Sequence, residues 1–188
     1  MNLGTIKYDF IIVGGGSSGC VLANRLSENG HYNVLLIEAG KDKHILSSIP
    51  ISFATLMNNP KANWLYKSEP DAGSNYREIE IPRGKLLGGS STINGMVFVR
   101  GQPHDYNHWS QLGNRGWSYE EVLPFFKKME TCSFGDDQFR GRNGPLIVTD
   151  PQERGPFYDA MFDAASQIGI QKNTDYNGAA QEGVAMTQ

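Results

Sequence analysis

An α/β fold built on a βαβ unit is what this sequence predicts, and three observations carry the prediction. A short β-branched apolar run at residues 10–13 leads at once into Gly14, Gly16 and Gly19, a GxGxxG spacing. Residues 20–26 then have helical spacing, with Val21, Leu22 and Leu26 on the side expected to pack. A second apolar run at 33–37 ends on Glu38. The first run suits a strand covered on both faces, as in a parallel sheet.

Each of these positions has a physical task in a Rossmann-like unit. Gly14 permits a tight turn, Gly16 lets bare backbone approach a pyrophosphate, and Gly19 lets the helix lie close on the strand. The helix N-terminus offers free N–H groups and partial positive charge to phosphate oxygens. Glu38 can accept both hydroxyls of an adenosine ribose, and it would repel a 2′-phosphate, which disfavours NADP. The pattern predicts a dinucleotide site but does not separate FAD from NAD.

Composition narrows the class. Among 188 residues, 39% are hydrophobic and 20% charged, with a net charge of −3. That suits a globular, water-soluble chain and gives no basic surface for nucleic acid. The 22 glycines gather in loops, which points to ligand binding through backbone. Cys20 and Cys132 form no CxxC pair and read as reduced thiols of a cytoplasmic protein. The N-terminal apolar run is short and breaks into glycines, so it reads as neither a signal peptide nor a membrane span. His104 and His108 are spaced i, i+4, but no third ligand stands nearby, so no metal is expected.

The rest of the chain reads in pieces. Residues 41–66 form a covering segment with turn marks at Pro50 and at Asn58, Asn59 and Pro60, a short helix at 52–57, and strand-like alternation at Trp64 and Tyr66. Residues 78–82 alternate strictly, as a half-exposed strand does. Asp105 reads as the cap of a helix holding Tyr106, Trp109 and Leu112. Ser118 with Glu121 reads as a capping box. Pro124 predicts a break and a new helix start, with Phe125, Phe126 and Met129 facing the core. Asn143 and Gly144 suggest a hairpin-like turn before a strand at 146–149. Residues 157–168 read as an amphipathic helix with Phe157, Met161, Ala164, Ala165 and Ile168 on its packed stripe and Gly169 as its stop. The tail is rich in turns.

A second glycine-rich stretch, "GKLLGGSSTINGMVFVRG" at 84–101, is unsuited to a helix interior or a buried strand. With it the chain resembles the N-terminal part of the glucose–methanol–choline (GMC) family of FAD-dependent oxidoreductases. "DFIIVGGGSSGCVLANRLSE" and "VLLIEAG" resemble the family's FAD-binding βαβ unit, and 84–101 with Asp105 resembles its first signature. "DYNHWSQLGNRGWSYEEVLPFFKKME", "GPLIV" and "YNGAAQEGV" are similar to flanking segments of the bacterial choline and alcohol dehydrogenase branch.

The resemblance implies an FAD-binding domain over 1–145, including the covering segment 41–82, and the start of a substrate domain over 146–188. It implies FAD as the cofactor. Gly14, Gly15, Gly16, Ser17, Ser18 and Gly19 would hold the pyrophosphate, and Glu38 with Ala39 the adenosine ribose. Trp64, Gly84, Leu86, Gly88, Gly89, Ser90 and Ser91 would continue the site. Asn94, Gly95, Met96 and Val97 would reach the flavin ring, these and Leu86 through backbone. Some oxidases of the family carry a histidine where this chain has Ile93 and link FAD covalently, so the FAD here is expected to be non-covalent.

The implied reaction is oxidation of choline or another primary alcohol to the aldehyde, with electrons passing to an acceptor such as a quinone. Family members are longer, and their catalytic histidine lies beyond residue 188. None of His31, His44, His104 or His108 matches it, so the chain reads as a C-terminally truncated, inactive fragment. Two alternatives stay open. An NAD-dependent dehydrogenase explains the first glycine turn but leaves 84–101 without a role. A non-catalytic flavin-binding remnant explains both. The location expected is cytoplasmic, with peripheral attachment to the inner membrane left open; oligomeric state is unread.

Overall fold

A computed structural model of the chain describes residues 6–150 and 155–188; residues 1–5, where the N-terminal run begins, and 151–154 lie outside the described residues. The chain divides into two units, the first ending at Met96 and the second running from Val97 to Gln188. Among the described residues no helix is long and apolar enough to cross a membrane.

In the first unit, strand β1 (Phe10–Val13) pairs in parallel with β2 (Val34–Ile37), Phe10 opposite Val34 and Val13 opposite Ile37. A parallel pair needs a crossover, and helix α1 (Ser17–Ser27) supplies it. The helix starts earlier than its apolar spacing suggests, because the Gly16 carbonyl already accepts the Cys20 N–H at 2.9 Å. Its least exposed positions are Gly19, Cys20, Ala23 and Leu26, while Val21 and Leu22 are exposed. Close approach decides that stripe: a Cβ on Gly19 would run into the Gly14 carbonyl and meet the Ile12 side chain. β1 is not covered on both faces either. Ile12 is buried, but Ile11 is 61% and Val13 83% exposed.

A helix α2 (Phe53–Met57) follows two 3-10 turns. Strands β3 (Tyr66–Lys67) and β4 (Glu80–Ile81) pair antiparallel, and only these two residues of the alternating run 78–82 are in the ladder. The core of this unit is Leu56, Ala62, Leu86 and Ile93, with Leu46 packed against it. Buried Asn63 organises the neighbourhood: its amide nitrogen donates to the Met57 carbonyl, and its oxygen accepts the N–H groups of Leu65 (3.1 Å) and Arg83 (2.8 Å).

The second unit opens with α3 (Pro103–Gln111). Gln102, not Asp105, occupies the N-cap, and Pro103 takes the first helical position. Asp105 sits two residues further in and reaches back to accept the Gln102 N–H at 2.7 Å. Helix α4 (Tyr119–Met129) runs straight through Pro124. The missing proline N–H leaves only the Glu120 carbonyl without its helical partner, and both residues are exposed, so water can take that bond. Continuity also turns Phe125 outward, at 70% exposure, whereas Phe126 packs edge-on against Tyr106.

At the start of α4, Glu121 accepts from both the Ser118 N–H (3.0 Å) and the Ser118 hydroxyl (2.6 Å). These bonds hold the Glu121 carboxyl below its ordinary pKa. A lowered folded-state pKa stabilises above the unfolded value and is lost as pH falls through the folded one. Ser118→Ala should therefore destabilise the protein near neutrality. The gap between variant and wild type should close in acid, as urea unfolding at two pH values would show; a gap independent of pH would refute the assignment.

Strand β5 (Glu130–Cys132) pairs in parallel with β6 (Leu146–Val148), Glu130 opposite Leu146. The turn at Asn143 and Gly144 is present, but it does not close a hairpin, since the Gly144 N–H bonds back to the Glu130 carbonyl at 2.9 Å and sends the chain forward beside β5. Helix α5 (Pro156–Gln167) ends at Gly169, whose φ is +83°. Its less exposed stripe is Tyr158, Met161, Phe162 and Ala165, with Phe157 and Ile168 each about three-quarters exposed. Lys172, 4.5 Å above the Phe162 ring, helps fix that face.

The interior of this unit is held by charge. Glu130 is fully buried and takes Arg140 Nε at 2.9 Å and the Gly141 N–H at 2.8 Å, with Arg100 Nη2 at 2.8 Å as an ion pair. Arg140 Nη1 also donates to Asp175 at 2.6 Å and to Gln188 at 2.9 Å. Burial opposes the Arg140 charge, but the Glu130 hydrogen bond and the charges of Asp175 and Glu130 outweigh it and raise its pKa. Nothing in the composition marks these side chains as interior ones.

Candidate dinucleotide site

The site is assembled from the first unit alone. At the end of β1, Gly14 turns with φ +100° and donates its N–H to the Ile37 carbonyl at 2.7 Å. The next amide, Gly15 N–H, donates to Glu38 Oε2 at 2.8 Å. The other Glu38 oxygen accepts the Gly40 N–H, also at 2.8 Å. Among the described residues the first-turn N–H groups of Ser17, Ser18 and Gly19 have no acceptor, which is the free donor set an anion needs.

The second glycine stretch lies directly on the first. Gly88 N–H donates to the Gly15 carbonyl at 2.6 Å, Leu87 N–H to the Lys41 carbonyl at 2.9 Å, and the hydroxyls of Ser17 and Ser91 are 2.5 Å apart. The chain then turns through Gly88 and Gly89, both with positive φ, into a 3-10 turn at Gly89–Thr92. A Cβ on Gly89 would stand 2.6 Å from Gly16 Cα, one on Gly40 would enter the Lys85 carbonyl, and one on Gly84 the Gly89 carbonyl. These three glycines serve the crossing of backbone over backbone. Gly14 differs, because a Cβ there would meet nothing within 4 Å.

Between the strands and the crossing lies a cleft of about 800 Å³, a size that suits a small-molecule cofactor. Of the residues singled out from sequence, Gly14, Gly16, Ser17, Ser18, Gly19, Glu38, Ala39, Trp64, Gly84, Gly89 and Ser90 line it. Gly15, Gly88 and Ser91 stand behind that lining, in the contacts just described. Leu86 puts its side chain into the core, where it is 1% exposed, while its backbone bridges to Lys41. Asn94, Gly95 and Met96 are exposed and are not part of the cleft lining; Asn94 Oδ1 accepts the Met96 N–H at 3.0 Å, and Met96 has φ +61°. Val97 begins the second unit and is exposed.

The apolar wall of Ile12, Val13, Leu22 and Ile37, and the cation Arg83, were not assigned to the site from sequence. Arg83 had a readable signal in its place directly before the second glycine stretch. Trp64 is oriented by neighbours: Tyr66 stacks at 5.8 Å and 6°, and Lys85 Nζ lies 4.5 Å from its ring centroid.

A free helix N-terminus, bare backbone at Gly14 and a carboxylate at the end of β2 around one cleft fit a dinucleotide cofactor. The family model for GMC oxidoreductases matches residues 8–188. The chain belongs to the GMC oxidoreductase family. Relatives in that family include oxygen-dependent choline dehydrogenases. The one from Photobacterium profundum is 47% identical over 94% of this chain and 32% of its own length. That from Rhizobium rhizogenes is 44% identical over 97% and 34%. Among solved structures, pyridoxine 4-oxidase from Mesorbium loti superposes with a TM-score of 0.81 at 36% identity, covering 89% of this chain and 33% of that one. An FAD-dependent oxidoreductase from Chaetomium thermophilum gives 0.77 at 35% identity, covering 90% and 31%. The chain spans about a third of the length of the curated relatives it matches.

Among the described residues no group of three or more histidine, cysteine or acidic side chains could hold a metal ion. His104 and His108 are exposed on α3 with their rings 6.3 Å apart.

Proposed function

We propose that this chain carries the FAD-binding part of an oxidoreductase that converts choline or another primary alcohol to its aldehyde. The observation that supports it best is the cleft itself, in which the free amides of α1, the Glu38 carboxylate and the second glycine stretch meet. In this reading the N–H groups of Ser17, Ser18 and Gly19 bind the pyrophosphate, and the Glu38 carboxylate accepts the hydroxyls of the adenosine ribose. Ile12, Val13, Leu22 and Ile37 keep water from the apolar side of the cofactor. Bound FAD supplies the hydride-accepting chemistry that alcohol oxidation requires.

Ile93 supports non-covalent binding, since it is 3% exposed in the core and has no nucleophilic atom. FAD is preferred to NAD because the chain belongs to this family and is similar to the FAD-dependent oxidoreductase from Chaetomium thermophilum. A cytoplasmic setting, a quinone-type acceptor and a substrate domain starting near residue 146 belong to the same proposal, on the resemblance alone.

The test is spectroscopic. The purified chain, incubated with FAD and desalted, should show the two visible absorption bands of oxidised flavin. Acid precipitation should then release all of the colour into the supernatant. A colourless protein that instead binds NAD would overturn the assignment of the cofactor, and colour retained in the pellet would overturn non-covalent binding.

A further inference from the structure

Both Glu38 oxygens already accept backbone N–H groups, Gly15 on Oε2 and Gly40 on Oε1, each at 2.8 Å. The bonds do not end there. One residue past Gly40, the Lys41 carbonyl accepts the Leu87 N–H at 2.9 Å, and the next amide, Gly88 N–H, returns to the Gly15 carbonyl at 2.6 Å. The circuit is closed: Gly15 to Glu38, Glu38 to Gly40, Lys41 to Leu87, Gly88 back to Gly15. Glu38 is its one side-chain member; every other member takes part through backbone.

We infer that Glu38 is a positioning residue that sets both glycine stretches in their binding conformation before any ligand arrives, in addition to any contact it makes with a ribose. The first role stands on the hydrogen-bond circuit; its consequence for affinity rests on the dinucleotide reading above. Glycine turns lose more conformational freedom on ordering than other segments, so an ionised acceptor that fixes two of their amides lowers the cost of binding. Each carboxylate oxygen has two acceptor sites, and the backbone takes one, so a ribose diol can still be accommodated. Glu38 therefore contributes to holding phosphates that it never touches.

The three roles open to Glu38 differ in sign for a ligand with phosphates but no ribose hydroxyls. Removing a negative charge near an anion should tighten binding if charge alone matters. Binding should be unchanged if Glu38 acts only through the ribose. It should weaken if Glu38 holds the loops. The experiment uses the 188-residue chain, wild type and Glu38→Gln, with ADP and 2′,3′-dideoxy-ADP as calorimetric probes. Amide exchange at Gly15 and Gly40 is followed in ligand-free protein.

The glutamine presents an NH2 to one of the two amides and so breaks one link. Dideoxy-ADP binding should weaken about fivefold to tenfold, and exchange at Gly15 or Gly40 should quicken by about tenfold. Glu38→Asp, which keeps the charge but withdraws it by one methylene, should lose the same protection and serves if the glutamine variant folds poorly. Equal or tighter dideoxy-ADP binding, or unchanged exchange, overturns the positioning role. If the wild type binds neither nucleotide, the dinucleotide reading falls, and the exchange measurement alone decides the role of Glu38.

Discussion

Replacing Gly89 with alanine should destabilise the first unit by on the order of 3 kcal/mol and abolish retention of the cofactor. Two costs add at this position. Gly89 has φ +57°, a left-handed conformation that alanine adopts only with strain, and its new Cβ would stand 2.6 Å from Gly16 Cα. Neither backbone can yield alone, because Gly88 N–H is bonded to the Gly15 carbonyl at 2.6 Å. The two stretches must separate, and the cleft they form opens. Gly30→Ala is the control. Its φ is +69°, but a Cβ there meets nothing within 4 Å, and it lies outside the cleft lining. It should cost roughly 1 kcal/mol and leave flavin binding intact. Urea unfolding with a flavin absorbance reading on each variant checks both; equal losses would show that the crossing of the two stretches is not what holds the site.

The second large effect is expected in the second unit. Arg140→Ala should cost the second unit about 3–5 kcal/mol, because it strands the fully buried Glu130 carboxylate. Arg100 stays beside Glu130, but its Nη2 makes the ion pair at 2.8 Å without a well-aligned hydrogen bond. Glu130→Ala should cost a similar amount, and the double variant should cost much less than the sum, since each change removes the partner the other needs. Chemical denaturation of the four proteins in the cycle measures this. Additive losses, or a single-variant loss under about 1 kcal/mol, would mean that water already serves these groups.

Local signals in the sequence carried further than long-range ones. The strand–turn–helix–strand order followed from adjacent residues: the apolar run at Phe10–Val13, the glycine spacing and the acid after Ile37. The Ser118–Glu121 contact followed from a three-residue spacing. Pro124 misled because its cost depends on how exposed the orphaned Glu120 carbonyl is, which is a property of the surface and not of the helix. The packed faces of α1 and α5 misled in the same way. On α1 the close approach of Gly19 to Gly14 chose the stripe, not the side-chain hydrophobicity of Val21 and Leu22.

By itself the sequence determined that a dinucleotide-type turn exists, where it lies and which acid accompanies it, because each of those facts is written in neighbours along the chain. Only the tertiary structure decided what the second glycine stretch does. Gly84 and Gly89 are bare because other backbone crosses them, and Glu38 has its oxygens on Gly15 and Gly40. It also decided that Glu130 and Arg140 belong inside. The contacts of Gly89 with Gly16, of Gly15 with Glu38 and of Arg140 with Asp175 join residues tens of positions apart, and one-dimensional spacing holds no record of which backbone will lie against which.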